Sequence, residues 1–315
     1  MILVAGSGNL DFVIRVPHIP TRGETVLGSG LDIVPGGKGA NQAVACARAG
    51  GAATEILVAT GDDEFAGPIE QSLMAAGVVV RQVRVPNQRT GLAFICLSDD
   101  AENAIAVAPG ANNALTADDL PALSECSHLL LQLETPIPIV TEYARAAKEQ
   151  CVAVVLNAAP ARQLPSELLA MVDILIVNEG ELNVVAGCQG SIVDRLERID
   201  VPCVIVTLGA RGCCARAAGK STAQTGFVVA SADTTAAGDT FCGALVAKLS
   251  KGYGLAQAMR YANAAGALAC TRVGAQASVP TCAEVEQLLE SCSSPMAAEH
   301  EELETFCGLT RCNLI

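Results

Sequence analysis

The chain has 315 residues, of which 51% are hydrophobic and 17% charged, with a formal net charge of −13. That length buries one large core, or one core with a small appendage, and that balance excludes a disordered chain. The acidity argues against a nucleic-acid surface, and the lack of aromatic residues (3%, no Trp) removes stacking platforms for single strands. An anionic ligand is still allowed, since a helix terminus and a few local cations can bind one inside an acidic protein. The fourteen cysteines lie scattered in apolar runs such as Phe94-Ile-Cys96, without a Cys-x-x-Cys pair, and read as reduced core thiols of a cytosolic protein. With only His18, His128 and His300, no metal cluster or Ser-His-Asp triad is in view. The opening Met1-Ile-Leu-Val-Ala5 does not resemble a secretory leader, and no segment offers about 20 uninterrupted apolar residues. The expectation is a soluble cytoplasmic protein, or a nuclear one in a eukaryote, with neither membrane nor nucleic acid as partner.

In chain order, Ile2–Ala5 reads as a buried strand ending in Gly6-Ser7-Gly8. Asn9 and Asp11 follow at spacing two; they share a face if the strand continues, and mark a turn if it does not. From Phe12 to Val34 short extended runs predict a small strand-rich excursion. Pro35-Gly-Gly-Lys-Gly-Ala-Asn41 then opens a helix over Gln42–Ala49, stopped by Gly50-Gly51. Lys38 among glycines suits a ligand-binding cation or a plain loop-to-helix joint, but lacks P-loop spacing. Strands are predicted over Glu55–Thr60, Val78–Val83, His128–Leu133, Val152–Leu156, Asp173–Val177 and Val204–Leu208. Helices are predicted over Glu64–Ala76 and Ile137–Glu149, and a second pair of extended runs over Gly91–Ser98 and Asn103–Ala108.

This alternation predicts an α/β three-layer sandwich, a mostly parallel central sheet flanked by helices, plus a small β-sheet lid from about 10–34 and 91–108. Ligands of such sheets sit at the carboxyl ends of the strands, where Asn9, Asp11, Glu134, Asn157, Asn178, Glu181, Gly209 and Asp239 all fall. The main domain is placed at 1–290. Residues 291–315 read as an acidic, loosely attached tail, and Cys312-Asn-Leu-Ile315 as an ordinary terminus and not a prenylation box.

The stretch Asp233-Thr-Thr-Ala-Ala-Gly-Asp239 runs from a strand end into a long apolar helix. Ala236, Ala237 and Gly238 leave backbone N–H groups open at a helix N-terminus, which suits a phosphate, and Asp239 sets a carboxylate beside them. Such an anion cradle with a base is what phosphoryl transfer to a hydroxyl requires. Taken alone, the same residues equally describe a capped helix with small residues for close packing.

Eight motifs in order tip that balance. They are Gly6-Ser-Gly-Asn-Leu-Asp11, Gly36-Gly-Lys-Gly-Ala-Asn-Gln-Ala43, Thr60-Gly-Asp-Asp63, Gln132-Leu-Glu134, Asn178-x-x-Glu181, Thr207-Leu-Gly-Ala-Arg-Gly212, Asp233 to Asp239, and Gly274-Ala-Gln-Ala-Ser-Val-Pro280. Together they resemble the ribokinase type within the phosphofructokinase-B family of sugar and nucleoside kinases, from about Ile2 to Leu289. The resemblance implies ATP-dependent phosphorylation of D-ribose at its 5-hydroxyl, with Asp239 as general base and Ala236–Asp239 as anion hole. It implies a sugar site of Asn9, Asp11, Gly37, Lys38, Gly39, Asn41, Glu134 and Asp239. It implies an ATP site using Asn178, Thr207, Gly209, Gly212, Gly238 and Asn263. A K⁺ site is implied at Asp233, Thr235, Ala269, Arg272, Gly274 and Ser278, with Glu181 as an outer-sphere partner of Mg²⁺. A homodimer joined through the lid is also expected. Two departures touch the ATP side: Asn157-Ala-Ala-Pro160 stands where Asn-Pro-Ala-Pro is usual, and the segment between Glu181 and Val204 is short. The alternatives are a kinase of the same fold for deoxyribose, fructose, pseudouridine or adenosine, and a sugar sensor without catalysis.

Overall fold

The computed structural model describes residues 1–98, 103–292 and 297–309. The apolar runs become a nine-stranded sheet: β1 (Ile2–Ala5), β4 (Thr54–Gly61), β5 (Val79–Val85), β8 (His128–Leu131), β9 (Ala153–Asn157), β10 (Ile174–Asn178), β11 (Cys203–Thr207), β12 (Gly212–Ala217) and β13 (Lys220–Thr225). Their order is β13-β12-β11-β10-β9-β8-β1-β4-β5, parallel from β11 to β5, with β12 and β13 added as an antiparallel hairpin edge. That hairpin is absent from the sequence reading.

Alternate residues of each strand point to opposite faces, and each face has its own core. Leu3, Leu131, Leu156, Val177 and Val206 meet helices α3 (Ile137–Glu149), α4 (Ser166–Met171), α5 (Glu179–Ala186) and α6 (Ile192–Glu197). Val4, Leu130, Val155, Ile176 and Ile205 meet α1 (Lys38–Arg48), α2 (Ala66–Ala75), α7 (Ala237–Ser250), α8 (Leu255–Ala269) and α9 (Cys282–Ser291). The strands are covered on both sides, which is why they read as unbroken apolar runs. Every cysteine among the described residues is free.

A separate four-stranded sheet has the order β3-β2-β6-β7, from β2 (Asn9–Val16), β3 (Gly30–Gly36), β6 (Gly91–Ser98) and β7 (Asn103–Ala108). Only the central β2–β6 pairing is parallel. The first strand stops at Ala5; Asn9 and Asp11 instead open a new strand, β2, in which the two share a face. Thr25–Gly28, read as an extended run, is not a strand.

Two corrections concern boundaries. Helix α1 starts at Lys38, not Gln42, because Gly37 adopts φ +88° as its N-cap; a Cβ there would come within 2.7 Å of the Asn9 amide nitrogen. The tail is not loose over its described part: Ala297–Cys307 form helix α10, whose Leu303 and Cys307 are buried in the core with Val206, Leu208 and Cys214. Cys312-Asn-Leu-Ile315 lies outside the described residues.

Candidate active site

The carboxyl ends of the parallel strands open onto a cleft of about 460 Å³ below the lid. Strand order reverses at β1, whose chain neighbours lie on one side at β4 and on the other at β8; at such a switch point loops diverge and leave a crevice. Lid residues Ala93, Ile95, Ile105 and Val107 form its roof. A larger neighbouring cavity of about 660 Å³ shares Asp11 and Thr235 but lacks Lys38, Glu134 and Asp239.

Asp239 sits in the first turn of α7 and is 7% exposed. Its carboxylate reaches across to α1 and does not cap its own helix. Asn41 Nδ2 donates to Oδ2 at 3.0 Å, and Gln42 Nε2 donates to Oδ1 at 2.9 Å. The helix-cap reading of the Asp233–Asp239 stretch therefore gives way. The two helices come this close because Gly243 of α7 packs on α1, where a Cβ would meet the Gln42 carbonyl oxygen at 2.5 Å. Gln42 is fixed in turn: its Nε2 also donates to Asn157 Oδ1 at 3.0 Å, and its Oε1 accepts from Gln132 Nε2 at 2.7 Å.

The remaining residues expected at a sugar converge on the same cleft. Asn9, Asp11, Gly37, Lys38, Asn41 and Glu134 all line it. Glu134 Oε2 accepts from the Lys38 N–H and from the Ser7 hydroxyl. Gly39 lies just behind, its N–H donating to Ser7 Oγ at 3.2 Å. Asn9 Oδ1 accepts from Asn112 Nδ2 at 2.8 Å. Asp11 Oδ1 and Asn41 Oδ1, both buried, have no partner in the protein. Buried acceptors rarely stay unpaired, so a ligand bearing hydroxyl donors suits them.

Charge is concentrated here. Burial, and then the negative charges of Glu134 and Asp239, push Asp11 up to about 7. The Asp239 charge is the main reason the buried Lys38 ammonium is held above its ordinary range, against the opposing cost of burial. Burial likewise raises Glu181.

Of the residues expected towards a nucleotide, Asn178, Glu181, Thr207, Ala236 and Gly238 line the cleft. Asn178 and Glu181 form a reciprocal cap on α5, each side chain accepting from the other's N–H at 2.8 Å. Ala236 holds the N-cap of α7 at φ +57°, a conformation costly for a residue with a Cβ. The Ala237 N–H donates to the Thr234 carbonyl at 3.3 Å, which leaves Gly238 and Asp239 as the better-placed donors of the expected cradle. Three expected ATP residues do not line the cleft: Gly209 and Gly212 bound the turn after β11, and Asn263 spends its amide on the Gln224 and Thr225 carbonyls of β13.

The expected cation residues are partly gathered. Asp233 accepts from the Thr235 N–H and hydroxyl and from the Gly274 N–H, stitching 233–235 to the 270–274 segment. Ala269 ends α8, Arg272 pairs with Glu284, and the Ser278 hydroxyl donates to the Ala275 carbonyl. Asp233 and Thr235 offer oxygen, the ligand type a hard cation takes, while the Asp233 carboxylate already accepts from three protein donors. Among the described residues no group of three or more His, Cys, Asp or Glu could hold a metal ion.

The fold and site define a phosphoryl-transferring α/β enzyme with a hydroxyl-matching pocket, and comparison with known proteins agrees. The pfkB family carbohydrate kinase pattern matches residues 1–282. The chain is 38% identical over 305 residues to the ribokinase of Haemophilus influenzae, covering 92% of this chain and 98% of that one. Among solved structures it is similar to the ribokinase of Thermotoga maritima (34% identity, TM-score 0.85, covering 92% of this chain and 99% of the other). The Arabidopsis thaliana ribokinase complexed with ribose and ATP gives 32% identity and a TM-score of 0.83, with 92% and 99% covered. The chain belongs to the pfkB family of carbohydrate kinases and is an enzyme.

Gln42, Ser7 and Asn112 were missed as site residues. Gln42 directly follows Asn41 inside the Gly-Gly-Lys-Gly-Ala-Asn-Gln motif, which was the available signal. Ser7 likewise lies inside the Gly6-Ser-Gly-Asn-Leu-Asp11 motif, whereas Asn112 belongs to none of the motifs.

Proposed function

We infer that the protein transfers the γ-phosphoryl group of ATP to the 5-hydroxyl of D-ribose, giving ribose 5-phosphate. The observation that carries this reading is the Asp239 carboxylate, held by Asn41 and Gln42 at the head of α7, on the same cleft as the unpaired acceptors of Asp11 and Asn41. A pentose presents adjacent hydroxyls that each donate and accept, and these groups match them. Analogues lacking a hydroxyl would leave buried polar atoms unpaired.

In the reaction, Asn9, Asp11, Lys38 and Asn41 hold the sugar with its primary hydroxyl against Asp239. The hydroxyl oxygen forms a bond to the γ-phosphorus as the bond to the bridging oxygen breaks, and ADP leaves with that electron pair. Asp239 takes the hydroxyl proton, late, because a loose transition state asks little of the base until then. The first-turn N–H groups of Gly238 and Asp239 stabilise charge on the transferring oxygens. Glu181 and Asn178 would be outer-sphere partners of Mg²⁺, which would supply neutralisation of phosphate charge. A K⁺ ion held by Asp233, Thr235, Ala269, Arg272, Gly274 and Ser278 would fix the shape of the loop before α7.

We also propose a homodimer joined through the lid. Leu31, Ile33 and Phe94 lie about half exposed on one face of that sheet, and Ile105 on the other, an unusual density for a monomer's surface. Light scattering at micromolar concentration should give twice the chain mass; a monomer would contradict it. The cytoplasm is the proposed location, in keeping with free cysteines throughout the described residues and with no described helix long and apolar enough to cross a membrane.

The test of function is ADP release across a panel of pentoses, hexoses and nucleosides, with the product position assigned by phosphorus-coupled NMR. Ribose should give the highest kcat/KM and a 5-phosphate. A deoxyribose, hexose or nucleoside preference would transfer the assignment to that acceptor, and no turnover with any of them would favour a sensor.

A further inference from the structure

Helix α10 lies beyond residues 1–282, which carry the family pattern, yet it is seated firmly on the domain. Leu303 and Cys307 are buried in the same core cluster as Cys214 of β12. Gly308, at φ +84°, packs so closely on Ser191 that a Cβ would come within 2.6 Å of it. This seat brings Phe306 to the turn between β11 and β12. Arg211 closes the turn between β11 and β12, and its guanidinium lies 4.1 Å from the centroid of the Phe306 ring. Nη2 of the same guanidinium donates to Glu179 Oε1 at 2.8 Å. Glu179 is the residue after Asn178 and opens α5. Arg211 is thus clamped between the helix that follows Asn178 and a helix outside the family pattern. The turn it belongs to has left-handed glycines at both ends, Gly209 at φ +59° and Gly212 at φ +111°, and is closed by the Leu208 N–H donating to the Gly212 carbonyl at 2.8 Å.

We propose that Phe306 is a positioning residue for the nucleotide: with Glu179 it holds Arg211, and through it the Thr207–Gly212 turn, so that α10 forms an added wall of this chain's ATP site. The proposal rests on the reading of that turn as part of the ATP site. A ring–guanidinium contact at a half-exposed position is weak, so its loss should show as a modest change in nucleotide affinity and leave the sugar untouched.

The experiment uses the full chain with Phe306→Ala, Phe306→Tyr, Arg211→Gln and the Phe306→Ala/Arg211→Gln double variant. It measures KM for ATP, KM for ribose, kcat and melting temperature. Phe306→Ala should raise KM for ATP about two- to five-fold with kcat and ribose KM unchanged. Phe306→Tyr should restore it, and the double variant should be no worse than Arg211→Gln alone. If Arg211→Gln raises KM for ATP and Phe306→Ala does not, the clamp is wrong and the nucleotide reading of the turn survives. If neither moves it, both fall. If Phe306→Ala lowers the melting temperature and shifts all three constants together, Phe306 only stabilises the fold.

Discussion

Gln42 Nε2 donates to Asp239 Oδ1 at 2.9 Å, across 197 positions of sequence, and in doing so aims the carboxylate proposed to meet the sugar. The same amide is pinned from behind by Asn157 and Gln132, so the orientation of Asp239 is set by a buried relay of amides and not by its own helix. Gln42→Leu keeps the approximate volume and removes both ends of the relay. It should lower kcat about 10- to 100-fold, the usual consequence of an ångström-scale misplacement, with ribose and ATP affinities nearly unchanged. Steady-state kinetics on both substrates check this; a wild-type kcat would mean that Asn41 alone suffices.

The α1–α7 approach at Gly243 should be equally sensitive, though for a reason of packing. A valine there has to displace the Gln42 carbonyl and the Ala45 methyl. Gly243→Val is expected to cost about 1–3 kcal/mol in stability. It should lower kcat as well, because the helix carrying Asn41 and Gln42 moves away from Asp239. Denaturant unfolding alongside activity separates the two effects.

Asp11 gives a pH signature. Its folded-state pKa is raised, so between pH 4 and 7 the folded protein binds a proton that the unfolded chain has released. Stability from this group is therefore present below its unfolded pKa and is lost as pH rises through about 7. Asp11→Asn should remove that loss. The variant without ligand should melt several degrees above wild type at pH 8 and close to it at pH 4, while losing ribose affinity at every pH. Equal melting at pH 8 would mean that the buried carboxylate costs nothing.

The loop before α7 depends on Asp233, which ties Thr235 to Gly274. Replacing K⁺ with a tetraalkylammonium ion should lower wild-type kcat several-fold, and Asp233→Ala should be slow in both salts. Indifference of the wild type to the swap would remove the cation from the account.

Much of this architecture could be read directly from the chain, and what could not has physical causes. Helix α3 falls on its expected residues because Ile137–Glu149 combines an apolar stripe with a proline start. The buried parallel strands announce themselves as apolar runs. The β12–β13 hairpin does not, since Gly212–Ala217 and Lys220–Thr225 are built of small and polar residues that gain their place only by pairing with β11. Helix α10 was hidden for a similar reason: its sequence is acidic, and among its described side chains only Leu303 and Cys307, one turn apart, are buried. In the candidate site, motif and rim position single out Asn9, Asp11, Lys38, Asn41 and Asp239, and these five line one cleft. Asn263 instead supports β13 with its amide. The relay through Gln42, Asn157 and Gln132 needs three elements brought together in space, and no local pattern records that.

The most direct test is Asp239→Asn, which keeps the shape of the side chain and removes its capacity to accept the sugar's proton. Calorimetric titration with ribose and with ADP should show both still binding, while kcat for ribose falls by orders of magnitude. A variant turning over within a few-fold of wild type would contradict the role given to Asp239, and with it the account of the site.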